Sequence, residues 1–109
     1  MALYMTQFAY TAQAWAALAK NPVDRRAAVG ALAQKAGGQL KELYYCFGEY
    51  DGVVIFDAPD DVAAAAVAVA ATVPGHIKSI KTTRLLTTDE AMEVMRRAGT
   101  YSFSAPSGA

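Results

Sequence analysis

Apolar positions recur along this chain in two rhythms, one suited to strands and one to helices. From Ala2 to Tyr10 bulky side chains run on without a breaker, which predicts a first strand. Thr11 then stands where a cap would start a short helix through Lys20, with Trp15 and Leu18 turned inward. Asn21-Pro22 predicts a restart: Asn21 as cap, Pro22 at the first helical position, and Asp24 near the positive end of the helix dipole. Val29, Leu32, Ala33 and Ala36 follow as one apolar stripe, and Gly37-Gly38 stops it. Leu40 to Phe47 reads as a second strand, rich in aromatic residues that favour extended backbone. Gly48-Glu49-Tyr50-Asp51-Gly52 reads as a turn, and Gly52 to Ala58 as a third strand, so these two strands form a hairpin. Pro59-Asp60-Asp61 opens a further helix on which Val62, Ala66, Val69 and Val73 line one face, until Pro74-Gly75 ends it. Ile77 to Leu86 is the fourth strand. Thr87 and Glu90 have capping-box spacing and start a last helix through about Ala98, with Ala91, Met92 and Met95 on its apolar side. In the tail, Tyr101 and Phe103 alternate as a short strand would.

This order, with a helix added at the end, is the split βαβ plan. It predicts an α+β, ferredoxin-like βαββαβ domain: an antiparallel four-stranded sheet with helices on one face. Residues 1–99 are expected to form one domain and residues 100–109 a mobile tail. A sheet with one wet face alternates apolar with polar residues. Here Val53, Val54, Ile55 and Phe56 are all apolar, as is the run from Leu43 to Phe47. Both faces are therefore expected to be dry, the second covered by another copy's sheet. The outer face of the alanine- and valine-rich helix is apolar too, and offers a further contact.

Composition points the same way. Of 109 residues 54% are hydrophobic and 18% charged, more apolar than a small single-core monomer needs. A homodimer or higher homo-oligomer is the expected remedy. Ten basic residues balance ten acidic ones, which argues against nucleic acid as a partner. Cys46 is the only cysteine, so neither an internal disulfide nor a CxxC site can form. The N-terminus lacks a basic region followed by an apolar run, and Val62 to Val73 is too short to span a membrane. A soluble, cytoplasmic protein with no membrane partner is expected.

The strings Gly37-Gly38-Gln39-Leu40-Lys41-Glu42 and Gly48-Glu49-Tyr50-Asp51-Gly52-Val53-Val54-Ile55-Phe56-Asp57-Ala58-Pro59-Asp60-Asp61 resemble the GYD-domain family, named for its Gly-x-Tyr-Asp turn. The resemblance covers about residues 3 to 98. It implies a fold of the dimeric α/β-barrel group and no established biochemical role. A looser similarity, at the level of fold, is to the ligand-sensing domain of Lrp/AsnC-type regulators. Those carry a Gly-x-x-Asp turn in the same hairpin, near an amino-acid pocket at a subunit interface, and DNA-binding helices that this chain lacks.

Six residues stand out as ligand-binding candidates: Tyr44, Glu49, Tyr50, Asp51, His76 and Arg84. The Gly48–Gly52 turn has a structural reading, in which Asp51 bonds backbone amides and Tyr50 covers the hairpin end. Its functional reading makes the turn, with Glu49, the rim of a pocket at a dimer contact. His76 is the sole histidine, either an exposed loop residue or a base lacking an orienting carboxylate nearby in sequence. Cys46 is expected to be buried as a small apolar group. Tyr4, Tyr10 and Tyr44 are core, interface or cavity residues. Lys78 and Arg84 share one face by parity and Lys81 takes the other. They protect an edge strand, or Arg84 anchors an anionic substrate group.

One histidine, one cysteine and no carboxylates at ligand spacing argue against a metal site, and Asp60 and Asp61 are explained by a helix start. No Walker, GxSxG, HExxH or helix-opening GxGxxG motif occurs, so no cofactor is expected. Three functions remain. One is a module binding a small apolar or amino-acid-like metabolite in a pocket between sheet and helices, near the dimer interface. The second is a cofactor-independent oxygenase or isomerase acting on an aromatic substrate, with Tyr44, His76 and Arg84 as acid, base and anchor. The third is a structural or assembly protein.

Overall fold

The computed structural model describes residues 1–108; Ala109, the end of the expected tail, lies outside the described residues. The elements run β1 (Ala2–Tyr10), α1 (Ala12–Lys20), α2 (Arg26–Lys35), β2 (Leu40–Tyr45), β3 (Gly52–Ala58), α3 (Asp61–Thr72), β4 (Ile77–Leu85) and α4 (Thr88–Ala98). The sheet order is β2-β3-β1-β4 and every pairing is antiparallel. This is the ferredoxin-like α+β arrangement that the strand order predicts. The long strand β1 lies in the middle, joined to β3 on one side and β4 on the other.

Helix ends follow local chemistry. Thr11 accepts from the Ala14 amide at 3.1 Å and starts α1. Asp60 accepts from the Ala63 amide at 2.8 Å and starts α3. Thr87 and Glu90 form the expected reciprocal capping box at α4. At the end of α2, Gly37 takes a left-handed φ of 91°, and the Gly37 and Gly38 amides close onto the Gln34 and Ala33 carbonyls. That double closure is the Schellman stop.

One helix start differs from the sequence expectation. Asn21 ends α1 instead of starting α2, its amide donating to the Ala17 carbonyl. Proline at position 22 disfavours helical backbone in the residue before it, so the chain leaves the helix there. It re-enters at Arg26, whose amide donates to the Asp24 carboxylate at 2.9 Å. β2 also stops at Tyr45, two residues early, and leaves Phe47 fully in solvent. Residues 101–106 form no strand.

The core lies on the helix-covered face of the sheet. Tyr4, Phe8, Tyr10, Leu43, Val54 and Phe56 point there and are buried, with Ala33 of α2 and Ala64 of α3 against them. Phe56 is the largest side chain wholly enclosed. α2 rests on β2 and β3, α3 rests on β3 and β4, and the two helices scarcely touch each other. Val62, Val69 and Val73 do share a face of α3, but it is the outer one, 63–79% exposed. The side toward the sheet carries Ala63, Ala64, Val67, Ala68 and Ala71. A helix apolar all round has no polar side to choose its orientation; small side chains let the alanine face approach the sheet.

The opposite sheet face is uncovered in the single chain. Leu3, Met5, Val53, Ile55 and Leu85 lie on it by register and are only half-buried. α4 has no extensive packing against any other element, and Met92 and Met95 are 50% and 68% exposed. The particle is correspondingly long, 57 × 35 × 21 Å, with a radius of gyration of 17.7 Å. A compact chain of this length has a radius near 13 Å.

Candidate functional site

The splayed helices leave a cavity of about 210 Å³ on the core side of the sheet. Its floor is Phe8, Val54, Phe56 and Ile80, and its walls are Leu32 of α2 and Val67 of α3. The space exists because α3 presents alanines where larger residues would close it. The only hydroxyl on the floor, Thr6 Oγ1, is already paired with Thr82 Oγ1 at 2.9 Å. The body of the cavity is therefore apolar, with few polar atoms to satisfy.

Its mouth has a different character. Tyr10, Arg25, Pro74 and His76 meet there. The Tyr10 hydroxyl lies 3.2 Å from that of Tyr45, and its ring meets Trp15 edge-on at 5.2 Å. Burial, with Tyr45 adding to it, pushes the Tyr10 phenol well above its ordinary value. His76 is half-buried, its ring 6.1 Å from that of Tyr10 and its carbonyl accepting from the Thr11 amide. Burial holds the imidazole below its usual value, and the nearby Arg25 lowers it further. The neutral form is thus favoured at pH 7.

The Gly48–Gly52 turn acts on this mouth from outside. Asp51 Oδ2 accepts from the Tyr10 amide at 2.9 Å and from Trp15 Nε1 at 3.1 Å. The Asp51 amide donates to the Phe8 carbonyl, and its own carbonyl accepts from the Cys46 amide, both at 2.8 Å. The carboxylate and backbone of this one residue thus tie the hairpin to the end of β1 and set the aromatic cluster. Gly52 is required for a separate reason: any Cβ there would overlap the Phe8 ring.

Of the six candidate residues, His76 alone lines the cavity. Asp51 positions Tyr10 from behind; Tyr50 is half-buried in the turn and Glu49 is exposed. Arg84 sits elsewhere, 5.9 Å from the centre of the Tyr4 ring and 3.7 Å from Glu90. Tyr4 is buried and donates to Asp61 at 2.6 Å, a bond that raises its phenol. Tyr44 is 61% exposed and by register faces the uncovered side of the sheet, with the Glu42 carboxylate raising its phenol. A single chain does not bring Tyr44, His76 and Arg84 into one site. Cys46 is exposed, contrary to the expected burial: it falls past the end of the edge strand, where its thiol donates to the Tyr50 carbonyl. A register shift between Ala9 and Tyr10 leaves Lys78 without a Cα partner, so parity does not assign its face. Arg25 escaped sequence reasoning because it lies in the Pro22–Arg26 connection, for which the sequence predicted a continuous helix. No group of three or more potential metal ligands occurs among the described residues. No helix among them is long and apolar enough to cross a membrane.

A four-stranded antiparallel sheet with an aromatic-mouthed cavity under its helices defines a small α+β domain of ferredoxin-like type. The GYD domain matches residues 4–95, and this chain belongs to that family. No curated protein matches it. Among solved structures it resembles TTHA0845 from Thermus thermophilus, at 16% identity and a TM-score of 0.51, covering 80% of this chain and 95% of that one. It also resembles MtbAldR, at 12% identity and a TM-score of 0.50, covering 79% of this chain. This chain spans about half of MtbAldR, with 52% of that protein covered. At these identities the likeness is one of fold.

Proposed function

We propose that this protein is a self-associating module that binds a small apolar or amino-acid-like metabolite, with the site inside each subunit. The observation carrying this reading is the apolar cavity of about 210 Å³ with polar groups gathered only at its mouth. Concave, mostly apolar sites with a few convergent polar groups are the usual form of a metabolite pocket. Self-association rests on a different surface. The uncovered sheet face lies across the sheet from the cavity, and its half-buried Leu3, Met5, Val53, Ile55 and Leu85 are natural contacts for a second copy. The cavity and the association surface are then separate, and a partner need not complete the site.

Thermal-shift screening of small apolar and amino-acid-like metabolites tests the binding reading. At least one compound is expected to raise the Tm of the wild-type chain and to leave Ala68→Leu, whose cavity is partly filled, unmoved. A broad screen without any shift counts against it. Sedimentation of wild type and Ile55→Lys tests the association: the wild type is expected to sediment as a dimer or larger and the variant as a monomer. A monomeric wild type at micromolar concentration removes the association reading.

A further inference from the structure

The cavity's two ends differ in chemistry, and that difference narrows the ligand. The interior takes an apolar body. It is somewhat larger than the 150 Å³ apolar cavity that accommodates benzene in a well-studied lysozyme variant. A single six-membered ring with a small substituent, or a branched short chain, fills it. No Asp or Glu lines any part of it. The charged and titratable groups at the mouth are the Arg25 guanidinium and the His76 imidazole, together with the Tyr10 hydroxyl.

Arg25 belongs to none of the ion pairs among the described residues, and its guanidinium faces the Tyr10 hydroxyl and the His76 ring. The positive end of α2 begins at the same place. Arg25 is its cap residue, and the Asp24 carboxylate before it accepts from the Arg26 amide at 2.9 Å. Ala28 of that turn lines the cavity. A half-buried guanidinium and a neutral imidazole therefore converge on one opening that no carboxylate lines, the nearby Asp24 and Asp51 carboxylates being bonded to the Arg26 and Tyr10 amides. A guanidinium outside any ion pair, at the mouth of an apolar cavity that no carboxylate lines, is the complement of an amphipathic anion.

We infer that the cavity takes a small carboxylic acid with an apolar body, a single-ring aromatic or branched short-chain acid, its carboxylate held at the mouth by Arg25 and His76. This rests on the binding site proposed above and adds the chemical class of its occupant. The acid enters body first. The guanidinium offers paired donors to the two carboxylate oxygens, and His76 supplies a third donor through its ring N–H. Tyr10, held in place by Asp51, closes the side of the opening. The same arrangement disfavours a cationic head, which would face Arg25 without a partner.

Three compounds of one shape and different charge separate the ideas: benzoate, benzamide and benzamidine. Titration calorimetry on the full chain at pH 7 should give at least tenfold tighter binding for benzoate than for benzamide, and no heat for benzamidine. In Arg25→Gln the ratio of benzoate to benzamide affinity should fall to about one. In Ala68→Leu and Ala71→Leu both ligands should lose affinity, with circular dichroism reporting a folded chain. Equal affinity for benzoate and benzamide, or a preference untouched in Arg25→Gln, overturns the carboxylate assignment and leaves the site standing. Binding that survives in both cavity-filled variants, or no binding of any of the three compounds, overturns the site as well.

Discussion

The two faces of the sheet are built from the same kinds of residue and end in different circumstances. Along β3 the side chains alternate between buried and half-buried, though nearly all are apolar. Val54 and Phe56 lie under helices at 6% and 1% exposure, while Val53 and Ile55 keep part of their surface in water. Hydropathy alone does not distinguish these neighbours. What differs is the presence of a cover, and within one chain the helices supply it to one face only. The covered face holds both the tightest packing and the cavity, because alanine-rich α3 seals its edges against the sheet without filling the middle. The uncovered face leaves Leu3, Met5, Val53, Ile55 and Leu85 half-buried.

The largest expected contrast comes from truncating each face in turn. Phe56→Ala should cost about 3–5 kcal/mol in denaturant unfolding, as for other enclosed aromatic residues. That is a large part of the 5–15 kcal/mol that holds a typical domain together. Ile55→Ala, one residue away, should cost clearly less in the dissociated chain. Equal losses would mean that the uncovered face is packed within the subunit after all. Next in size is Asp51→Ala, which strips the Tyr10 amide and the Trp15 indole of their shared acceptor. A loss of about 1–3 kcal/mol is expected. Trp15 fluorescence should shift as the aromatic cluster loosens, with the uncovered face unaffected.

The smallest effect is the response to pH at the cavity mouth. His76 titrates lower in the folded chain than in the unfolded one, because burial and Arg25 disfavour its charged form. As pH falls, the unfolded chain takes up the proton first. The contribution of His76 is therefore complete above about pH 7 and declines as pH drops through the unfolded value of 6.5 toward the folded one. Comparison of wild type with His76→Gln between pH 8 and 5 should show a shallower fall in the variant. A steeper fall in the variant would place the imidazole in a setting that favours its charge.

Much of the fold is legible in local pattern. Strands β1 and β3 have the predicted limits, and the caps at Thr11, Asp60 and Thr87 and the stop at Gly37-Gly38 depend on a few neighbouring residues each. Asn21-Pro22 misled because two local rules competed there: a residue suited to start a helix also stands before a proline that ends one. The candidate site was far less legible. His76 stood out through its residue type, but Arg25 had no motif to mark it, and Asp51 was visible in a turn whose partners, Tyr10 and Trp15, lie 41 and 36 residues away. Tyr44 and Arg84 carried suitable chemistry and were brought to other surfaces.

By itself, then, the order of residues determined which segments are helix or strand, where most of them stop, and that more apolar surface exists than one small core absorbs. Those properties depend on side-chain type and on neighbours a few positions apart. Only the tertiary structure decided which side of α3 turns inward, that α2 and α3 stand apart, and that Arg25, His76 and Tyr10 share one opening. Each depends on volumes and directions meeting across long stretches of chain, and a near-uniform run of alanine and valine carries no local mark of which way it will face.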